Sequence, residues 1–147
     1  MKTNLKEIAY DRLQIKYGTL DIKLLEQLNT ELNLAKSRGM TNQIILAYDL
    51  VEYMRNNKIV YHAAGATASS FLFYILGISK TNPMSPHYYC PNCNRIEYNS
   101  SVLDGFDLPE KKCKCGTVMI GDGHNIDPIN FWGQKFKNDW HNIWIAV

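Results

Sequence analysis

The chain has 147 residues, 46% of them hydrophobic and 20% charged, with a formal net charge of +2. That length suits one domain or a domain with a small insert, and the composition carries a packed core, which excludes a disordered chain. Residues 1–62 hold nine Lys/Arg against seven Asp/Glu and residues 63–147 hold seven against seven, so neither half has the basic footprint of an avid phosphate-backbone binder. No basic-then-apolar leader and no apolar run of membrane-spanning length is visible, so a cytoplasmic protein with no membrane contact is expected.

In chain order, Leu5 to Tyr17 reads as a short amphipathic helix, with Leu5, Ile8, Ala9 and Leu13 inward and Gly18 as its stop. Thr19 or Asp21 can cap a second helix whose stripe is Leu24, Leu25, Leu28, Leu32 and Ala35, closed by Arg38-Gly39. Thr41 or Asn42 starts a third, with Ile44, Ile45, Tyr48, Val51 and Met54 inward and Asn56-Asn57 as its turn. Ile59 to His62 reads as a strand. The small residues Ala63 to Ser70 then open an apolar helix from Phe71 to Leu76. A strand, a small-residue turn and a helix start form a candidate anion cradle, because free N–H groups there point outward; close packing of the helix end is the competing reading.

Thr81 to Pro86 is a proline-containing loop leading into the cysteine region, where Tyr88-Tyr89, Ile96 to Tyr98 and Val118 to Ile120 are short strand candidates. Cys90 and Cys93 form a C-x-x-C pair, and Cys113 and Cys115 form a C-x-C pair after a nineteen-residue spacer. Two close pairs with no cysteine left over can place four thiolates around a structural zinc ion. A reducing compartment favours metal over disulfide. A redox pair is the main rival, yet such a pair should open a helix, and Pro91-Asn92 looks like a turn. The C-x-C half is tight, so His87 or His124 could replace one thiolate. Lys111, Lys112 and Lys114 can offset the negative charge of such a cluster, or contact nucleic acid. A closed four-thiolate site fastens loops and is not catalytic. Gly121 to Pro128 is turn-rich, and the tail from Phe131 carries three tryptophans and ends in the alternation Ile143, Ile145, Val147 that a strand would show.

The runs GISKTNPMSPHYYCPNC, GFDLPEKKCKCGT and DGHNI together resemble the palm region of the PolC-type replicative DNA polymerase, the alpha subunit of polymerase III, which carries a similar four-cysteine zinc element. The resemblance extends backward through LLEQLNTELNLAKSRG and covers about Leu24 to Gly133. It implies an α+β fold with a helical N-terminal part, a small strand-containing palm-like core and a zinc-ribbon-like insert. The chain then divides into a scaffold over residues 1–86, a zinc-binding insert over 87–128 and a strand-containing tail over 129–147 that packs on the scaffold.

Departures from the family decide the expected function. Its Ser-Arg-Gly-Ser-Val-Gly-Ser-Ser-Phe type loop falls on Ala64 to Phe71, where its arginine, following serine and second glycine become Ala64, Ala66 and Ala68, while Gly65, Ser69 and Ser70 remain. The family's Asp-x-Asp pair, which holds the catalytic metals, falls in the tail, yet residues 140–147 contain no Asp or Glu. The second cysteine pair is one residue shorter than the family's. The start at Met1 and the altered tail argue for a natural short chain. A non-enzymatic zinc protein is therefore expected, with no catalytic residues, acting through a protein partner in DNA replication as a mimic or inhibitor; a phage or mobile-element gene would suit such a role. The alternative is a nucleic-acid-binding zinc module, in which Tyr88, Tyr89, Tyr98 and the nearby lysines meet a strand through weak DNA contact. An enzyme of different chemistry ranks last: the imidazoles are His62, His87, His124 and His141, and no cysteine is spare as a nucleophile.

Overall fold

The computed structural model describes residues 4–133 and 143–147. The fold is α+β. Three helices come first: α1 (Leu5–Tyr17), α2 (Ile22–Ser37) and α3 (Thr41–Asn56). Their ends follow local chemistry. Asn4 caps α1 by accepting from the Lys6 N–H, and Gly18 closes it at φ 71°, a left-handed conformation that glycine adopts without strain. Asp21 caps α2 by accepting from the Lys23 and Leu24 N–H groups. The inward stripes match the sequence periodicity closely: Leu5, Ile8, Ala9 and Leu13 on α1, Leu24, Leu28, Leu32 and Ala35 on α2, and Ile44, Val51 and Met54 on α3 are buried. Leu25, Ile45 and Tyr48 pack at the margin of the same core.

After α3 come β1 (His62–Ala63), a 3-10 turn over Gly65–Ser69 and the short helix α4 (Phe71–Ile75). Helix α4 is apolar on all sides, with Phe71, Leu72, Phe73 and Ile75 buried, and packs against α1 and α2 as the centre of the core. The strand expected at Ile59 to His62 is displaced to His62–Ala63, because Ile59 and Val60 are exposed and the pairing partner lies further along. That partner is in the tail. The elements that follow are β2 (His87–Tyr89), β3 (Ile96–Tyr98), a 3-10 turn over Gly105–Asp107, β4 (Ile120–Asp122), α5 (Ile129–Trp132) and β5 (Ile145–Ala146). Strand β5 runs antiparallel to β1, with His62 opposite Ala146 and Ala63 opposite Ile145. The alternating tail thus pairs as a strand, while Trp140, His141 and Asn142 lie outside the described residues.

A second sheet orders its strands β3-β2-β4, all antiparallel, with His87 facing Tyr98 on one side and Asp122 on the other. The third strand falls two residues later than Val118 to Ile120, inside the turn-rich stretch, since Gly121 and Gly123 let the backbone approach its neighbours. A Cβ at Gly121 would meet the Gly105 carbonyl at 2.8 Å, and one at Gly123 the Ser85 carbonyl at 2.5 Å. The sheet sits on a small apolar cluster of Tyr88, Cys90, Cys113 and Met119, separate from the main core.

Two polar arrangements join these parts. Glu31, fully buried on α2, accepts hydrogen bonds from Gln27 Nε2 at 2.9 Å, Phe71 N at 3.0 Å, Trp132 Nε1 at 2.6 Å and the Ser70 hydroxyl. Burial pushes its carboxyl pKa up while those donors pull it back. His87, also fully buried, donates from Nδ1 to the Ser85 carbonyl at 2.8 Å and so presents Nε2 as acceptor to the Tyr17 hydroxyl at 3.0 Å. Asn82 donates to Tyr17 Oη at 2.8 Å and to Asp122 Oδ2 at 3.1 Å, which also receives the Tyr74 hydroxyl.

Glu31→Ala is expected to lower the free energy of unfolding by about 3 kcal/mol or more, measured by denaturant titration, because several buried donors lose their acceptor at once. Burial lowers the pKa of His87 below its ordinary value. The unfolded chain therefore takes up a proton first as pH falls, so this contribution to stability is complete above pH ~6.5 and is lost below it. Unfolding midpoints measured against pH should show that loss, and His87→Gln should remove this component of it.

Candidate metal centre

The four cysteines converge although they lie on two separate turns. The first turn follows β2. Cys90 N donates to the Arg95 carbonyl and Asn94 N to the Cys90 carbonyl, with Asn94 at φ 65° turning the chain back. The second turn precedes β4. Cys113 N donates to the Thr117 carbonyl and Gly116 N to the Cys113 carbonyl, with Gly116 at φ 90°. A bridge between Lys112 and Val118 closes that turn. Sheet pairing of β2 with β4 holds the two turns face to face.

The four Sγ atoms lie within 4.8 Å of one another. Cys90 and Cys115 are 3.5 Å apart, and Cys93 and Cys113 are 3.2 Å apart. A tetrahedron with metal–sulfur arms of about 2.3 Å has edges of roughly 3.8 Å, so the cluster has the dimensions that a thiolate-bound ion requires. Cys90 and Cys113 are buried, and Cys93 and Cys115 face solvent. The thiols are not equivalent. A backbone N–H from Cys93, 3.4 Å from Cys90 Sγ, pulls the Cys90 pKa down. Contact with the Thr117 hydroxyl draws Cys115 down to about 5. The hydrogen bond shared with Cys113 pushes Cys93 up to about 12. Four thiolates coexist at this spacing only around a cation.

Neither histidine competes for the site. His87 is committed to Tyr17 and Ser85, and His124 Nδ1 lies 2.8 Å from Asp104 Oδ2 with its ring edge-on to Phe106. Among the described residues, the metal-capable group comprises Cys90, Cys93, Cys113 and Cys115. Of the lysines beside it, Lys111 has another occupation. Lys111 pairs with Glu97, which it shares with Arg95, and lies 5.5 Å from the Tyr88 ring centroid. The aromatic residues offered as a stacking surface also turn inward. Tyr88 is buried with its hydroxyl on the Pro109 carbonyl, and Tyr98 donates to the Asp21 cap at 2.9 Å.

The small-residue turn is arranged differently from an open cradle. Gly65 takes φ 61°, and a Cβ there would meet nothing. Ser69 and Ser70, however, are buried: Ser69 Oγ donates to the Ala66 carbonyl at 2.6 Å, and Ser70 caps α4 at Phe73 N while donating to Glu31. At the helix start, the Phe71 N–H is taken by the Glu31 carboxylate. Trp144, preceding β5, adds bonds to Ala64 N and Thr67 Oγ1. The sequence periodicity gave Glu31 no special place; its only signal was an acidic residue between Leu28 and Leu32 on an apolar stripe.

Residues 3–121 match the family described as the bacterial DNA polymerase III alpha NTPase domain. Among similar proteins, the PolC-type DNA polymerase III of Staphylococcus saprophyticus is 34% identical over 139 residues, which are 92% of this chain and 10% of the relative. Its counterpart in Pediococcus pentosaceus is 35% identical over 143 residues, with the same shares, and that of Bacillus subtilis is 32% identical over 139 residues. The chain spans about a tenth of the length of the curated relatives it matches.

Purified protein is expected to carry one thiophilic divalent ion per chain, measured by elemental analysis. Cys90→Ser should abolish stoichiometric binding and lower the melting temperature, since a structural ion supplies folding energy directly. A folded, metal-free chain whose four thiols all react with a thiol reagent would contradict this.

Proposed function

This chain belongs to the bacterial DNA polymerase III alpha family, and we propose that it acts there as a non-catalytic, zinc-braced binding protein rather than as a polymerase. The observation that carries this reading is the buried carboxylate of Glu31 at the start of α4. A loop that cradles a triphosphate needs donors turned toward the ligand. Here an internal anion already takes the Phe71 N–H and the Ser70 hydroxyl, and Ala64 stands where the resemblance places an arginine. An arginine–phosphate pair is charge-assisted and often bidentate, so its loss is felt more than that of a neutral contact. The tail strand adds no carboxylate with which to hold catalytic metal ions.

Zinc is the ion that best suits four closely spaced thiolates with no further ligand, and such a site braces loops. The activity then rests on surface: a palm-like scaffold presents the faces that a PolC-type polymerase presents, and competes for a replication protein that reads them. The cytoplasm, where thiols stay reduced, is the compartment this chemistry fits. No helix among the described residues is long and apolar enough to cross a membrane.

Primer-extension assays test the reading. The purified chain should extend no primer with magnesium or manganese. Added to a PolC-type polymerase with its partner proteins, it should slow extension in a dose-dependent way that excess partner relieves. Extension by the chain itself, in a preparation free of host polymerase, would overturn the proposal.

A further inference from the structure

Away from the cysteines and from the Gly65 turn, four cationic side chains from three parts of the chain line one open cleft of about 350 Å³. Arg12 and Lys16 stand one turn apart on α1. Arg55 comes from the end of α3, and Lys80 from the segment after α4. Tyr61, Tyr74 and Ile75 form less polar walls, and Gly77 and Ser79 contribute backbone. Among the described residues, no carboxylate lines the cleft. In a chain whose sixteen cations and fourteen anions nearly balance, this is a concentrated positive field within low-dielectric walls, the arrangement that draws in a counter-ion.

The cations are held in place by weak or shared contacts. Glu52 pairs with Arg55 and lies 3.8 Å from Arg12, so one carboxylate behind the cleft sets two guanidinium groups side by side. Gly77, at φ 78°, leaves room for Arg55: a Cβ there would sit 2.3 Å from Arg55 Nη1. Lys16 rests 5.3 Å from the Tyr74 ring centroid. Lys80 lies 4.7 Å from that of Tyr61 and donates to the Tyr61 carbonyl at 2.7 Å. Arg55, Lys16 and Lys80 are exposed, so their charged ends can swing toward a ligand. Among the described residues, Glu52 is the carboxylate paired with these cations, and four cations against it leave a surplus of like charge that a multiply charged anion relieves.

We propose that this cleft binds a phosphoryl-bearing anion, through Arg12, Lys16, Arg55 and Lys80. Planar guanidinium groups suit phosphoryl oxygens bidentately, and the ammonium groups add point charges on the open side. The volume lies at the lower end of ordinary small-ligand sites and exceeds the needs of a single phosphate, which suits two linked phosphoryl groups. The same chemistry is offered by a free polyphosphate and by the backbone of a nucleic-acid strand.

Calorimetric titration of the intact chain with inorganic pyrophosphate, and in parallel with a thymidine oligonucleotide, separates the two sources, and amide spectra locate the site. Saturable binding is expected to move the amide signals of Gly77, Ser79 and Lys80. Lys16→Glu should weaken it by roughly tenfold or more, and Lys36→Glu, the same charge change on the far end of α2, should leave it nearly unchanged. Because Lys16 is exposed and makes only a ring contact, the variant should fold; Lys80→Gln provides an independent second variant with the same expected direction. Pyrophosphate binding with this pattern identifies a free anion, and oligonucleotide binding with this pattern and no pyrophosphate saturation identifies a strand. Failure of both ligands to saturate, equal weakening by Lys16→Glu and Lys36→Glu, or signals that move at the Gly65 turn instead would overturn the proposal.

Discussion

A single carboxylate, that of Glu31, holds three elements of the fold in register. It sits on α2, satisfies the first N–H of α4 and the hydroxyl that caps it, and fixes the indole of α5. Leaving any of these donors unpaired in a dry interior costs on the order of 1–3 kcal/mol. An aliphatic side chain at position 31 would fill the space and satisfy none of them. The same geometry explains why α4, only five residues long and without a single charged residue, is stable where it stands. So short a helix does not persist by propensity; it is fixed at its start by the carboxylate and packed against α1 and α2.

The cysteine element is attached to this body by polar contacts and by Tyr89 and Ile96, which pack on the main core. Its small apolar cluster is distinct from the main one. The link runs from Tyr17, at the end of α1, to His87 at the start of β2 and through Asn82 to Asp122 on β4. Tyr98 on β3 reaches the Asp21 cap of α2. Both faces of the small sheet's attachment therefore touch residues that also terminate helices. An ion held by the four cysteines would rigidify the two turns, and the strands next to them would pass that rigidity to the helix ends.

Much of this was legible in the sequence because it is periodic or local. The stripes of α1 to α3, the caps Asp21 and Gly18, and the two cysteine pairs obey short-range rules, and they fall where those rules put them. The strands were harder. His62–Ala63 and Ile120–Asp122 are each two or three residues long, and their bounds are set by partners far along the chain. Glu31 was illegible for the opposite reason. A charged residue near an apolar stripe reads as its solvent-facing edge, and only the convergence of Gln27, Ser70, Phe71 and Trp132 reveals it as a centre. The cationic cleft draws on three separate elements, so no local pattern could have announced it.

The span of the Glu31 contacts also sets a schedule for the newly made chain. Trp132 lies 101 residues after Glu31, and Ala146 lies well beyond His62, its strand partner. During synthesis α1 to α4 leave the ribosome while the carboxylate still lacks its indole and the edge of β1 is bare. A helical body that formed in that interval would hold the Glu31 carboxyl without its indole donor beside an unpaired strand edge, the combination on which chaperones and misassembly both act. Arrival of α5 and then β5 closes both openings.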